Sequence, residues 1–95
     1  MAKRTDFNQR EIVSTFRKLG AKVLIMSDLG KGAPDILVGH RKRNWLFEIK
    51  DGKKMPSQQK LTPMEEEFHR TWQGQVGIIN SVDDVISFMN DLNRG

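Results

Sequence analysis

Asp35, Glu48 and Lys50 stand at the ends of two apolar runs in "GAPDILVGHRKRNWLFEIKDGKK", Gly32 to Lys54. Two carboxylates set within about 5 Å repel each other, and a cation lets both stay ionised. Hard oxygen ligands without His or Cys favour Mg²⁺ or Mn²⁺, which leave coordination positions for water and phosphate oxygens. Such an ion lowers the pKa of a bound water and steadies charge on a phosphate. A lysine beside it can orient or deprotonate the water and stabilise the transition state. The trio therefore suits metal-assisted hydrolysis of a phosphodiester. A strand-end salt bridge between Lys50 and either acid is the plain competitor.

The chemistry requires the trio to share one face of a hairpin. "PDILVG" and "NWLFEIK" read as strands, with "HRKRN" turning between them. Facing residues of an antiparallel pair have a constant sum of positions. A turn centred between Arg41 and Lys42 gives 83 and sets Asp35 against Glu48. One centred between Lys42 and Arg43 gives 85 and sets Asp35 against Lys50. Both put the trio on one face, since strand side chains alternate. A sum of 84 would split it unless a bulge intervened. Trp45, Phe47 and Ile49 take the opposite, packing face.

Elements on either side must hold this hairpin. Asp6 with Gln9 reads as a capping box opening a helix, with Ile12, Val13, Phe16 and Leu19 on its apolar stripe and Gly20 closing it. "KVLIMSD" is a short strand, "LGKGAP" a glycine-rich loop and "DGKKMPSQQK" a polar loop. Thr62, Pro63 and Glu65 spell the start of a second helix, which runs to about Trp72. "VGIIN" is a fourth strand. Ser81 and Asp84 open a last helix with Val82, Val85, Ile86, Met89 and Leu92 inward. The order α-β-β-β-α-β-α, with a crossover before the fourth strand, predicts an α/β fold with a mixed sheet flanked by helices.

Ninety-five residues make one domain, and dimerisation would help so small a core. The chain has no cysteine, which excludes a disulfide framework or thiolate zinc site and suits an intracellular, cytoplasmic setting. The opening "MAKRTDFNQR" lacks the apolar core of a signal peptide, and no run approaches the roughly 20 apolar residues of a membrane span. Net charge is +4, but residues 1–61 carry +8 and residues 62–95 carry −4. A one-sided basic surface suits nucleic acid.

"GAPD", "FEIKDG", "LTPMEEEF" and "GIINSVDDVISFM", in that order, resemble the VRR-NUC (virus-type replication-repair nuclease) domain of the PD-(D/E)XK superfamily, from about Glu11 to Leu92. The resemblance implies a restriction-endonuclease-like fold spanning residues 1–95. Asp35 and Glu48 would bind the metal, joined by the Ile49 carbonyl, and Lys50 would act on the attacking water. Glu11 matches an acid that often completes the metal shell in this family and in related Holliday-junction resolvases. Glu65 stands where the family usually has Gln. Stand-alone members of this kind act as homodimers on branched DNA such as four-way junctions, and occur in phages and bacteria. The implied function is a structure-selective endodeoxyribonuclease using Mg²⁺ or Mn²⁺. A flap-directed or restriction-like nuclease, or a non-catalytic nucleic-acid-binding module, are the rivals.

Beside the trio, Lys31, Lys53 and Lys54 could hold phosphates of the scissile strand. "HRKR", at the far tip, is a grip for a distant duplex arm or a solvated turn. His40 and His69 are not spaced as a metal pair, and Phe68 and Trp72 read as core.

Overall fold

The computed structural model describes residues 4–94, with the side chains of residues 4–7 left aside. The start "MAK" and Gly95 lie outside the described residues. Helix α1 spans Arg4–Lys18, β1 Lys22–Ile25, β2 Ile36–His40, β3 Arg43–Ile49, α2 Pro63–Thr71, β4 Val76–Ile79 and α3 Val82–Arg94. Single 3₁₀ turns at Ser27–Leu29 and Pro56–Gln58 interrupt the two loops. The predicted order holds. The start of α1 differs: Arg4 is already helical, so Asp6 lies inside the first turn, its side chain being outside the described set. Gln9 exchanges hydrogen bonds with Ser27 Oγ.

The sheet order is β1-β2-β3-β4, antiparallel except for the β3/β4 pair. That parallel pair follows from the helical crossover between its strands. On one face Ile36, Val38, Trp45, Phe47 and Ile49 are buried against Ile12, Val13 and Phe16 of α1 and Val85 and Met89 of α3. Phe88 completes this layer, edge-on to Phe16, Trp45 and Phe47 at 5.0–6.2 Å.

Helix α2 lies over the other face and buries none of its residues. Nine residues cannot cover four strands, so Leu46, Leu37, Phe68 and Trp72 line an apolar cleft of about 440 Å³. Trp72 is 47% exposed and stacks on Phe68 at 5.1 Å, which corrects the core reading of this pair. Leu19 and Ile86 also stay exposed, at the margins of their helical stripes.

The hairpin turn consists of Arg41 and Lys42, both at positive φ (54° and 65°). Two such residues form the turn whose twist matches a two-residue hairpin. The pairing is Ile36↔Phe47 through His40↔Arg43, a constant sum of 83. The regular pairing ends there, and Asp35, one residue ahead of β2, donates its own N–H to the Phe47 carbonyl.

Candidate active site

Asp35 sits just ahead of β2, after the fully buried Pro34. It makes the strand junction with three groups. Its N–H donates to the Phe47 carbonyl (3.0 Å), and its own carbonyl accepts from Met26 N–H (2.7 Å). Its carboxylate Oδ2 accepts from Ile49 N–H at 2.8 Å. The side chain thus continues the β2/β3 ladder where the main-chain carbonyl has turned towards β1, and this fixes it beside β3.

Glu48 is 4% exposed, and its Oε1 is buried with no partner among the described residues. Its carboxyl group lies within hydrogen-bonding reach of Asp35. Burial pushes its pKa up to about 9; the hydrogen bond and charge of Asp35, and the charge of Glu65, push the same way, with Lys50 opposing. Without a bound cation, therefore, burial and the neighbouring acids favour the protonated form of Glu48.

Lys50 leaves the same face of β3 and meets Glu65, Nζ to Oε1 at 2.8 Å, with both side chains about 15% exposed. Glu65 also closes the capping box of α2: it accepts from Thr62 N–H, and its own N–H donates to Thr62 Oγ1. Burial alone would raise Glu65, but hydrogen bonds from Lys50 and Thr62 outweigh it and hold the carboxyl below its ordinary range. The acid at the position read as a cap therefore serves cap and site together. The loop before Asp35 is pressed onto the same helix start. At Gly32 (φ 80°) a Cβ would stand 2.5 Å from the Met64 carbonyl oxygen, so no other residue fits there.

Glu11 is exposed on α1 and lines a separate cleft with Asp51, Lys53 and Asn80. Among the described residues no three His, Cys, Asp or Glu side chains gather closely enough to hold a metal. Asp35 and Glu48 are thus brought together, and Glu11 is not. Ile49 meets Asp35 through its N–H, while its side chain is core. Lys31 and Lys53 are exposed and Lys54 half-buried; Lys31 takes a positive φ of 56° in the loop ahead of Asp35.

Two neighbours escaped sequence reasoning. Asn8 Nδ2 donates to the carbonyls of Lys50 (3.0 Å) and Asn80 (3.4 Å), tying α1 to the ends of β3 and β4. His69 follows Glu65 by one helical turn, a spacing that could have flagged it. Its Nε2 is buried without a partner among the described residues. Burial lowers its pKa, against the charge of Glu65 and with that of Lys50.

A divalent cation fits the central donor set. An orphaned buried carboxyl oxygen beside a second carboxylate is a hard, oxygen-only pair that a proton alone satisfies poorly.

A mixed sheet with the acids at one end of a β-hairpin, and a lysine two residues past the second acid, is the restriction-endonuclease-like arrangement of PD-(D/E)XK nucleases. No family model and no curated protein matches the chain. Among solved structures it is similar to a "VRR_NUC domain", with a TM-score of 0.66 and 27% identity over 94% of this chain and 97% of that one. The fold is accordingly that of a VRR-NUC domain, a likeness that supports a nuclease of the PD-(D/E)XK type.

Proposed function

We infer that this chain is a metal-dependent endonuclease that hydrolyses phosphodiester bonds in structured DNA, four-way junctions foremost, as a homodimer. The supporting observation is the closeness of Asp35 to a buried, orphaned Glu48 at the open end of the hairpin, with the Lys50 charge acting on the same carboxyl. In this reading Asp35 and Glu48 hold Mg²⁺ or Mn²⁺, with the Ile49 carbonyl as a further ligand, while Glu11, in its separate cleft, is not one. Such an ion, when bound, supplies an acidified water and charge neutralisation at the phosphate.

The chain's own residues do the rest. Asp35 is fixed by the Ile49 N–H, so its free oxygen is aimed before substrate arrives. Lys50 spends one N–H on Glu65 and keeps two more to orient the attacking water and meet the charge that develops on the phosphate. Glu65 keeps that ammonium from folding down onto Asp35 and Glu48. Lys31, Lys53 and Lys54, near Asp35 and Lys50 in sequence, would hold neighbouring phosphates. A two-fold dimer would present two pockets to a two-fold junction, which suits paired nicks.

The test is cleavage of labelled four-way junctions, flaps and linear duplex with Mg²⁺ or Mn²⁺. Asp35→Ala and Lys50→Ala should each lower the rate by at least 100-fold, while DNA binding survives in part through the other cations. Unchanged metal-dependent cleavage in both variants would show that the activity lies elsewhere. Sedimentation at micromolar concentration should report a dimer.

A further inference from the structure

Outside the pocket, a cleft of about 410 Å³ between α1 and the open edge of β1 is lined by basic side chains. Its walls carry Arg10, Arg17 and Lys18, the polar Gln9 and Ser14, and the aliphatic Ile25, with no acid. The ion pairs among the described residues are Lys50–Glu65 and Arg70–Glu67. No described carboxylate therefore neutralises the cleft.

Its geometry is set in advance. Arg17 donates to the Val23 carbonyl at 3.2 Å, which pins its guanidinium along the strand. In an antiparallel strand the N–H and C=O of one residue point the same way. Val23 therefore turns its N–H to the same open edge, adding a main-chain donor. Gln9 is bonded to Ser27, and Met26 beside it donates to the Asp35 carbonyl. One end of the cleft is thus joined to the segment that holds Asp35. From Arg10 to Lys18 the helix rises about 12 Å, a span over which a duplex carries roughly seven phosphate charges. Arginine, lysine, serine and glutamine side chains with a main-chain N–H are the usual contacts to a DNA backbone.

We propose that the α1/β1 cleft is a second phosphate-binding site, which holds the backbone of the DNA arm leading away from the pocket. This rests on the nuclease reading and adds to it a path for the substrate. Lys31, Lys53 and Lys54 grip the scissile strand; Arg10, Arg17 and Lys18 grip the arm.

The experiment is fluorescence anisotropy of a labelled four-way junction in EDTA, across 50–200 mM salt, paired with cleavage kinetics in Mg²⁺. Arg17→Ala and Lys18→Ala should each flatten the slope of log affinity against log salt by about 0.9 and weaken binding roughly 3- to 10-fold at low salt. The loss should fall in KM rather than kcat. Among the described residues Lys18 makes no side-chain hydrogen bond, so Lys18→Ala remains informative if Arg17→Ala folds poorly. Arg94→Ala, on α3 outside the cleft, should behave as wild type. Wild-type slopes in Arg17→Ala and Lys18→Ala, with wild type binding and cutting normally, would overturn the second site and leave the nuclease reading standing. Wild type that neither binds nor cleaves DNA would remove both.

Discussion

Replacing Glu48 by glutamine tests the electrostatics of the pocket without any substrate. In the metal-free fold the Glu48 carboxyl is raised to about 9 from an ordinary 4.5. In the unfolded chain at pH 7 it is ionised, so folding must take up a proton. Neutral pH lies 2.5 above 4.5, and at about 1.4 kcal/mol per pH unit the cost is ~3 kcal/mol. The sign follows from the raised value. Stability is greatest below about pH 4.5, falls as pH rises towards 9, and levels off above it. A glutamine side chain has nearly the same shape, stays neutral throughout, and can donate its amide to Asp35. Its own unpaired atoms offset part of the gain. Glu48→Gln should therefore stabilise the EDTA-treated protein by about 1–3 kcal/mol at pH 7. That raises Tm by roughly 10 °C for a domain of this size. Its stability should also be nearly flat between pH 5 and 9 where wild type declines. Millimolar Mn²⁺ should recover the wild-type loss, by about 2.7 kcal/mol at a hundredfold excess over Kd, and leave Glu48→Gln almost unmoved. Thermal melts across pH, with EDTA and with Mn²⁺, read all three. A flat wild-type profile, or a Glu48→Gln protein less stable at pH 7, would refute a neutral Glu48.

Three further outcomes are expected. Glu65→Ala removes the acid of a capping box and leaves a largely buried lysine unpaired, and should cost about 2 kcal/mol and at least tenfold in single-turnover cleavage; Glu65→Gln, which keeps the cap, should lose under about 1 kcal/mol. Gly32→Ala forces a Cβ against the Met64 carbonyl in a left-handed backbone, and should cost about 2 kcal/mol or more in urea melts while slowing cleavage through displacement of Glu65. Changing Arg41-Lys42 to Asn-Gly relieves two left-handed residues and should stabilise by about 1–2 kcal/mol, with kcat unaltered.

Much of the pocket was legible because alternation along a strand is a strong rule. Apolar Trp45, Phe47 and Ile49 force Glu48 and Lys50 to the other side, and either even-handed turn brings Asp35 to join them. The choice between sums of 83 and 85 was not legible. A two-residue turn of this type usually announces itself with Asn-Gly, whereas here Arg41 and Lys42 adopt positive φ at an energetic cost that only the completed sheet offsets. Sheet coverage was equally hidden. Helical periodicity marks Phe68 and Trp72 as apolar, but whether a nine-residue helix spans the sheet depends on where it lands. Phe88 lies off the simple stripe of α3, and its place became visible only against three aromatic rings from α1 and β3. Glu11 could be matched to a pattern, yet its position depends on how α1 is anchored through Asn8, a long-range bond with no local signature.

The pairing of Asp35 with Glu48 across a two-residue turn also bears on the order of assembly. A hairpin closes in microseconds, far sooner than the chain ends can dock beneath it. The acids therefore confront each other while still in water, where their repulsion is mild. The opposition hardens only as the helices from both ends expel solvent. Mildly acidic conditions, or a divalent ion captured early, should ease that last step, so the ingredient for chemistry would double as an aid to maturation.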